Sequence, residues 1–212
     1  MDSDHDGCGC RPAVGPDASP AYVRTLWVVA AANFAMFLVG VVVAVRGGSV
    51  AVNADMLDFL GDAVATAVGL LVIGRSQRVR TRVALTQGGV LGLLGLYALV
   101  AAGLRAFGGA APEPIAMSVY GVLGLVVNVG SALLLMPFRK GDATVRAVWL
   151  YSRNDALGNL AVLCAAGLVV ITATRWPDVV VGVVIAALFI HSAASILRQA
   201  LAERGANAVQ HD

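Results

Sequence analysis

Six apolar runs, each long enough to cross the hydrocarbon of a bilayer, punctuate the chain at roughly 26–45, 49–74, 84–106, 115–137, 146–172 and 176–198. A crossing takes about 20 such residues at about 1.5 Å each, so the runs predict a polytopic helical protein. Their boundaries carry turn residues or charge: Arg46-Gly47-Gly48, the 75–82 stretch with its four arginines, Gly108 to Pro114, Pro137 to Asp142, and Arg175-Trp176-Pro177-Asp178. Composition agrees, with 58% hydrophobic residues, 13% charged residues and a mean hydropathy of +0.81. Ordinary soluble domains carry about a quarter charged residues.

The expected fold class is therefore an all-α membrane protein with six transmembrane helices over 26–198, between a polar tail at 1–25 and a short tail at 199–212. The first 25 or so residues are too polar for a signal peptide, so the first run is expected to stay in the membrane. The last 14 are too few to bury a core of their own. With the N-terminus inside, eleven Lys and Arg residues fall on the cytoplasmic side and only Arg46, Arg105 and Arg175 outside, which puts both termini in the cytoplasm. Arg153 is left within a span. The net charge of +2 follows the loops and forms no patch, which argues against a nucleic-acid partner. Three cysteines, Cys8, Cys10 and Cys164, make no disulfide framework.

Of thirteen acidic residues, nine lie in tails, loops or span ends. The remaining four are Asp55, Asp58 and Asp62 in the second run and Asp155 in the fifth. A carboxylate inside a bilayer costs at least about 2.5 kcal/mol on insertion scales, so it calls for a cation, a proton or a polar partner. At 100° per residue the three aspartates of the second run fall within about 60° of arc, and Thr66 and Gly69 extend the stripe. On the fifth run Tyr151, Ser152, Asp155 and Asn159 share a face. Counting rise from each end brings Asp58, Asp62 and Asp155 to similar depth, so the two polar faces can meet. Ionised aspartates repel in low dielectric unless metal or protons neutralise them, which couples metal occupancy to proton release. A single buried aspartate could equally serve as interhelical hydrogen-bond glue; three at helical spacing are harder to read that way.

These residues resemble the cation diffusion facilitator family. Its second-span signature, Gly-Ser-x-Ala-x-x-Ala-Asp-x-x-(His or Asp)-x-x-x-Asp, is matched by the stretch from Gly48-Ser49 through Ala54-Asp55 and Asp58 to Asp62. Its fifth-span signature, (His or Asp)-x-x-x-Asp-x-x-x-(Ser or Asn), is similar to Tyr151, Asp155 and Asn159. The resemblance, over about residues 24–203, implies a homodimeric secondary transporter that exports a divalent metal, zinc, cobalt or cadmium or else manganese or iron, from the cytoplasm against protons. It implies a bacterial inner-membrane location and a transport site of Asp58, Asp62, Asp155 and the position held by Tyr151. The phenol is a poor ligand, so either Asn159, Ser152, Asn154 or water completes the site or the activity differs from that of the usual exporter; Asp55, nearer the outer end, is a further candidate that reads equally as interhelical glue. A ligand set of carboxylates and amides without His or Cys is harder than the family's usual one. The resemblance also implies a short form, without the family's cytoplasmic metal-binding domain. The other reading is a non-transporting metal sensor or an assembly partner that keeps the fold.

No nucleophile and base pair stands out, and no phosphate-binding Gly-Lys-Ser or Gly-Lys-Thr loop is present, so neither covalent catalysis nor ATP-driven pumping is expected, and no cofactor beyond the transported ion. His5, Cys8 and Cys10 offer donors for soft ions in a tail read mainly as a soluble leader. His191 reads as a packing or interfacial residue, Cys164 as an inert small apolar residue, Asn33 and Asn128 as cavity-lining or interhelical hydrogen-bonding residues, and Gly88, Gly89, Gly92 and Gly95 as a small-residue packing face.

Overall fold

The computed structural model describes residues 19–72, 75–108, 110–138 and 143–209, and of residues 77, 143–151, 153 and 203–209 the backbone alone. Six helices account for nearly all of them: α1 (Pro20–Gly47), α2 (Val50–Leu71), α3 (Gln77–Phe107), α4 (Pro114–Leu135), α5 (Ala143–Thr172) and α6 (Trp176–Val209), with one 3-10 turn at Met136–Phe138. There is no strand among the described residues.

Local chemistry sets the helix starts. Ser19 caps α1 by accepting the N–H of Tyr22 at 3.2 Å, and Pro20 follows where a missing N–H costs nothing. Glu113 caps α4 through the N–H groups of Ile115 at 3.0 Å and Ala116 at 2.6 Å, again ahead of a proline. Between α1 and α2 the chain reverses in two residues. Gly48 takes the left-handed conformation, φ +61°, that ends α1, and its N–H reaches Ala44 O at 3.2 Å. Ser49 then caps α2 by accepting Val52 N–H at 3.0 Å.

Two helices run further than their apolar cores. α3 starts at Gln77, so Arg78, Arg80 and Arg82 lie on its first turns instead of in a connector. α6 continues to Val209, past the expected limit at 198. Arginine, glutamine, leucine and alanine are good helix formers, and no proline interrupts either extension. Hydropathy marks where a helix leaves apolar surroundings, not where it ends.

α3 packs mainly on α6, α4 on α5 and α1 on α2, while α2 touches all five other helices. It is the centre of the bundle. Ala51, Val52, Ala54 and Phe59 of α2 join Met117 and Tyr120 of α4, Val162, Ala165 and Ala166 of α5, and Ile185, Ala186 and Phe189 of α6 in one core. Large apolar side chains cover the outside, Val45, Leu93, Leu104, Phe107 and Ile171 among them. Such a surface fits lipid and not water. Five helices among the described residues are long and apolar enough to cross a membrane; α2, with its three aspartates, is the exception. Its 22 residues still make about 33 Å of helix, and its carboxylates face protein inside the bundle.

The glycine face of α3 is selective. Gly88 lies against Ile196 and Leu197, Gly92 against Ala193 and Gly95 against Phe189 and Ile190, whereas a Cβ at Gly89 would meet no neighbouring helix within 4 Å. A Cβ at Gly95 would stand 2.9 Å from that of Phe189 and 3.2 Å from the backbone nitrogen of Ile190, so α3 and α6 would have to separate. Gly95→Ala is expected to cost about 1–3 kcal/mol, as overpacking does. Gly89→Ala should instead be neutral or stabilising by up to about 1 kcal/mol, alanine being the better helix former. Thermal denaturation of the two variants in detergent checks this, and equal losses would refute the assignment of the packing face.

Candidate metal centre

The site starts from how α2 is held. Asp178, two residues into α6 and fully buried, accepts the hydroxyl of Ser49, the N–H of Val50 at 2.9 Å and the N–H of Ala51 at 3.0 Å. The first N–H groups of a helix lack intrahelical partners, and the helix dipole favours a carboxylate there. Asp178 satisfies both requirements across 127 to 129 residues of sequence and fixes α2 along its axis. Asp55, Asp58 and Asp62 follow one, two and three turns further along.

Asp58 and Asp62 of α2 and Asp155 of α5 converge: one carboxylate oxygen from each lies within 4.8 Å of the other two. All three residues are half-buried. Asp155 Oδ2 is enclosed and has no hydrogen-bond partner among the described residues. Two full negative charges at that separation repel by about 3–4 kcal/mol even at an effective dielectric of about 20. Three such pairs favour a compensating positive charge at the cluster, which a proton or a metal ion supplies equally well.

Asp55 and Asn159 are brought together elsewhere. The Asn159 amide donates to Asp55 Oδ2 at 2.6 Å, and its own Oδ1 accepts the amide of Asn128 from α4 at 2.8 Å. All three are buried, at 4%, 0% and 3% exposure, so each polar group meets protein and not water. Space for Asn159 comes from Gly124, where a Cβ would stand 2.7 Å from the amide nitrogen. The two polar faces read from helical periodicity thus meet at two levels: a carboxylate trio, and one turn away an Asp-Asn-Asn chain. Asp55 pairs with a residue after Asp155, and Asp62 approaches Asp155 itself, so α2 and α5 run antiparallel.

Among the remaining candidates, Ser152 is buried, Asn154 is exposed, and Thr66 and Gly69 are half-buried on α2. Tyr151 lies one turn before Asp155 on α5, with its side chain outside the described residues, as is that of Arg153. His5, Cys8 and Cys10 also fall outside them. Asn33 donates to Val29 O at 2.9 Å within its own helix. His191 and Cys164 are exposed on the outer face of the bundle. The role of Asp178 had no local signal beyond Gly48-Ser49, because its partners lie on another helix.

Residues 26–203 match the family described as the cation efflux transmembrane domain. Two curated relatives are each 28% identical over 174 residues, covering 76% of this chain: the metal cation efflux system protein CzcD of Cupriavidus metallidurans and the cation efflux system protein CzcD of an Alcaligenes species. The chain spans about half the length of these relatives, 55% in each case.

Proposed function

The chain belongs to the cation efflux family, and from that membership we propose that it carries a divalent metal cation across the membrane in exchange for protons, with Asp58, Asp62 and Asp155 binding the cargo. The observation that carries this reading is the convergence of three carboxylates within 4.8 Å at the centre of a multi-pass membrane bundle. A divalent ion binds oxygen at about 2.0–2.6 Å, so it can bridge oxygens up to about 4–5 Å apart. The trio matches that span, and the unpartnered Oδ2 of Asp155 supplies an acceptor for it. Metal entry displaces protons because the ligands must ionise to bind, which is the minimum coupling for an exchanger.

The direction is export from the cytoplasm, by alternating exposure of the trio to the two faces, in a bacterial inner membrane with α2 as a sixth span and both termini cytoplasmic. A homodimer is the expected assembly. Zinc, cobalt and cadmium are the favoured cargo, and the all-oxygen trio keeps manganese and iron open as harder alternatives. The names of the two relatives, both cation efflux proteins, agree with the direction.

The test is uptake of zinc, cobalt, cadmium, manganese and iron(II) into inside-out vesicles with an imposed pH gradient. Accumulation that collapses when the gradient is dissipated supports exchange and identifies the ion. Folded protein that accumulates none of the five would replace transport by a metal-sensing or assembly role.

A further inference from the structure

We propose that the Asp55–Asn159–Asn128 chain is the gate on the α2 N-terminal side of the carboxylate trio, not part of the cargo's ligand shell: it ties α2, α5 and α4 together and must open for the ion to leave there. The proposal rests on the transport reading above.

Three observations carry it. Both ends of the Asn159 side chain are engaged, its amide with Asp55 Oδ2 at 2.6 Å and its Oδ1 with the Asn128 amide at 2.8 Å, so Asn159 is spent on tying the helices together. Along the polar stripe of α2 the surroundings open from one end to the other. On the side toward the start of α2, Ala51, Val52, Ala54, Met117, Tyr120 and Val162 have no exposed surface, whereas Asp58 and Asp62 are half-buried, as are Thr66 and Gly69 beyond them. Finally, Phe59 of α2 meets Tyr120 of α4 edge-on at 6.2 Å, and Tyr120, Gly124 and Asn128 share one face of α4 at four-residue spacing. That face carries both the ring contact, at the level of the trio, and the end of the hydrogen-bonded chain.

An ion held by the trio therefore meets buried, hydrogen-bonded side chains on the side of Asp55. Interhelical hydrogen bonds between uncharged or singly charged partners are weak enough in membranes to break and remake within a transport cycle. Gating by a bistable contact needs no more than a modest preference for the closed arrangement.

The test measures access, not flux, so it remains informative if transport itself fails to appear. In full-length protein with Cys8, Cys10 and Cys164 changed to serine, Asp58→Cys places a thiol at the trio, and a charged, membrane-impermeant thiol reagent is applied from each side of reconstituted vesicles. With the chain intact, modification should be fast from one side and slow from the other. Asp55→Ala or Asn159→Ala should raise the slow rate at least tenfold and leave the fast rate unchanged. The double exchange Asp55→Asn with Asn159→Asp, which restores a carboxylate–amide pair, should restore the slow rate. Should Asp55→Ala not fold, Asn128→Leu, which cuts only the second bond, carries the same expectation. An unchanged slow rate in folded variants overturns the gate. So does a loss of more than tenfold in cobalt(II) affinity when the double exchange is made with Asp58 in place, because that result returns Asp55 to the ligand shell.

Discussion

Asp62→Ala is expected to reduce gradient-driven metal uptake at least about 100-fold, and Asp58→Ala and Asp155→Ala to do the same. Even partners outside a ligand shell cost 10- to 100-fold when removed, so loss of one of three charged ligands should cost more. The stability effect has the opposite sign. Without metal, each carboxylate stands within 4.8 Å of two others, and ionised pairs repel by about 3–4 kcal/mol at an effective dielectric of about 20. Asp62→Asn removes one negative charge and keeps the shape, so the metal-free variant should melt higher than the parent at neutral pH. Added metal at about 100 times its dissociation constant should stabilise the parent by about 2.7 kcal/mol, and the variant by almost nothing. Melting curves with and without zinc or cobalt test both signs. A variant that keeps full uptake and full metal stabilisation would remove Asp62 from the site.

The fold was legible because membrane helices announce themselves by length and apolarity, and the six runs correspond to the six helices. The ends of α3 and α6 were not, since arginine-rich or mixed helical turns carry no hydropathy signal. Helical phase placed Asp55, Asp58 and Asp62 on one face, within about 60°. Phase says nothing about axial offset between helices. That offset, set by how α2 and α5 pack, sends Asp58 and Asp62 to Asp155 and sends Asp55 to Asn159. The resemblance placed Asn159 among the candidate ligands by its spacing from Asp155, and that spacing carried no sign of its pairing with Asp55. Asn128 illustrates the same limit, because its partner is 31 residues away on another helix.

Asp178 anchors the start of α2 to α6, and Asp178→Ala should be the most destabilising single change in the bundle outside the apolar core. Its carboxylate accepts from the Ser49 hydroxyl and from two backbone N–H groups, all buried. Removing it leaves these donors without a partner in a place that water does not reach, and bonds to a charged acceptor are worth about 1.5–3 kcal/mol each before non-additivity. A loss of about 3–5 kcal/mol is expected, comparable to half the stability of a typical domain. Asp178→Asn retains one acceptor oxygen and turns an NH2 group toward the helix end, so it should recover only part of the loss. Ser49→Ala removes the cap of α2 and one donor to Asp178, and about 1–2 kcal/mol is expected there. Denaturation in detergent ranks the three variants. The functional consequence separates anchoring from mere folding: in Asp178→Asn protein that remains folded, a slackened α2 should weaken cobalt(II) binding at the trio, although Asp178 lies two turns of helix from the nearest ligand. Unchanged stability and affinity in Asp178→Ala would mean that packing against the other five helices, without the Asp178 carboxylate, sets the depth of Asp58 and Asp62.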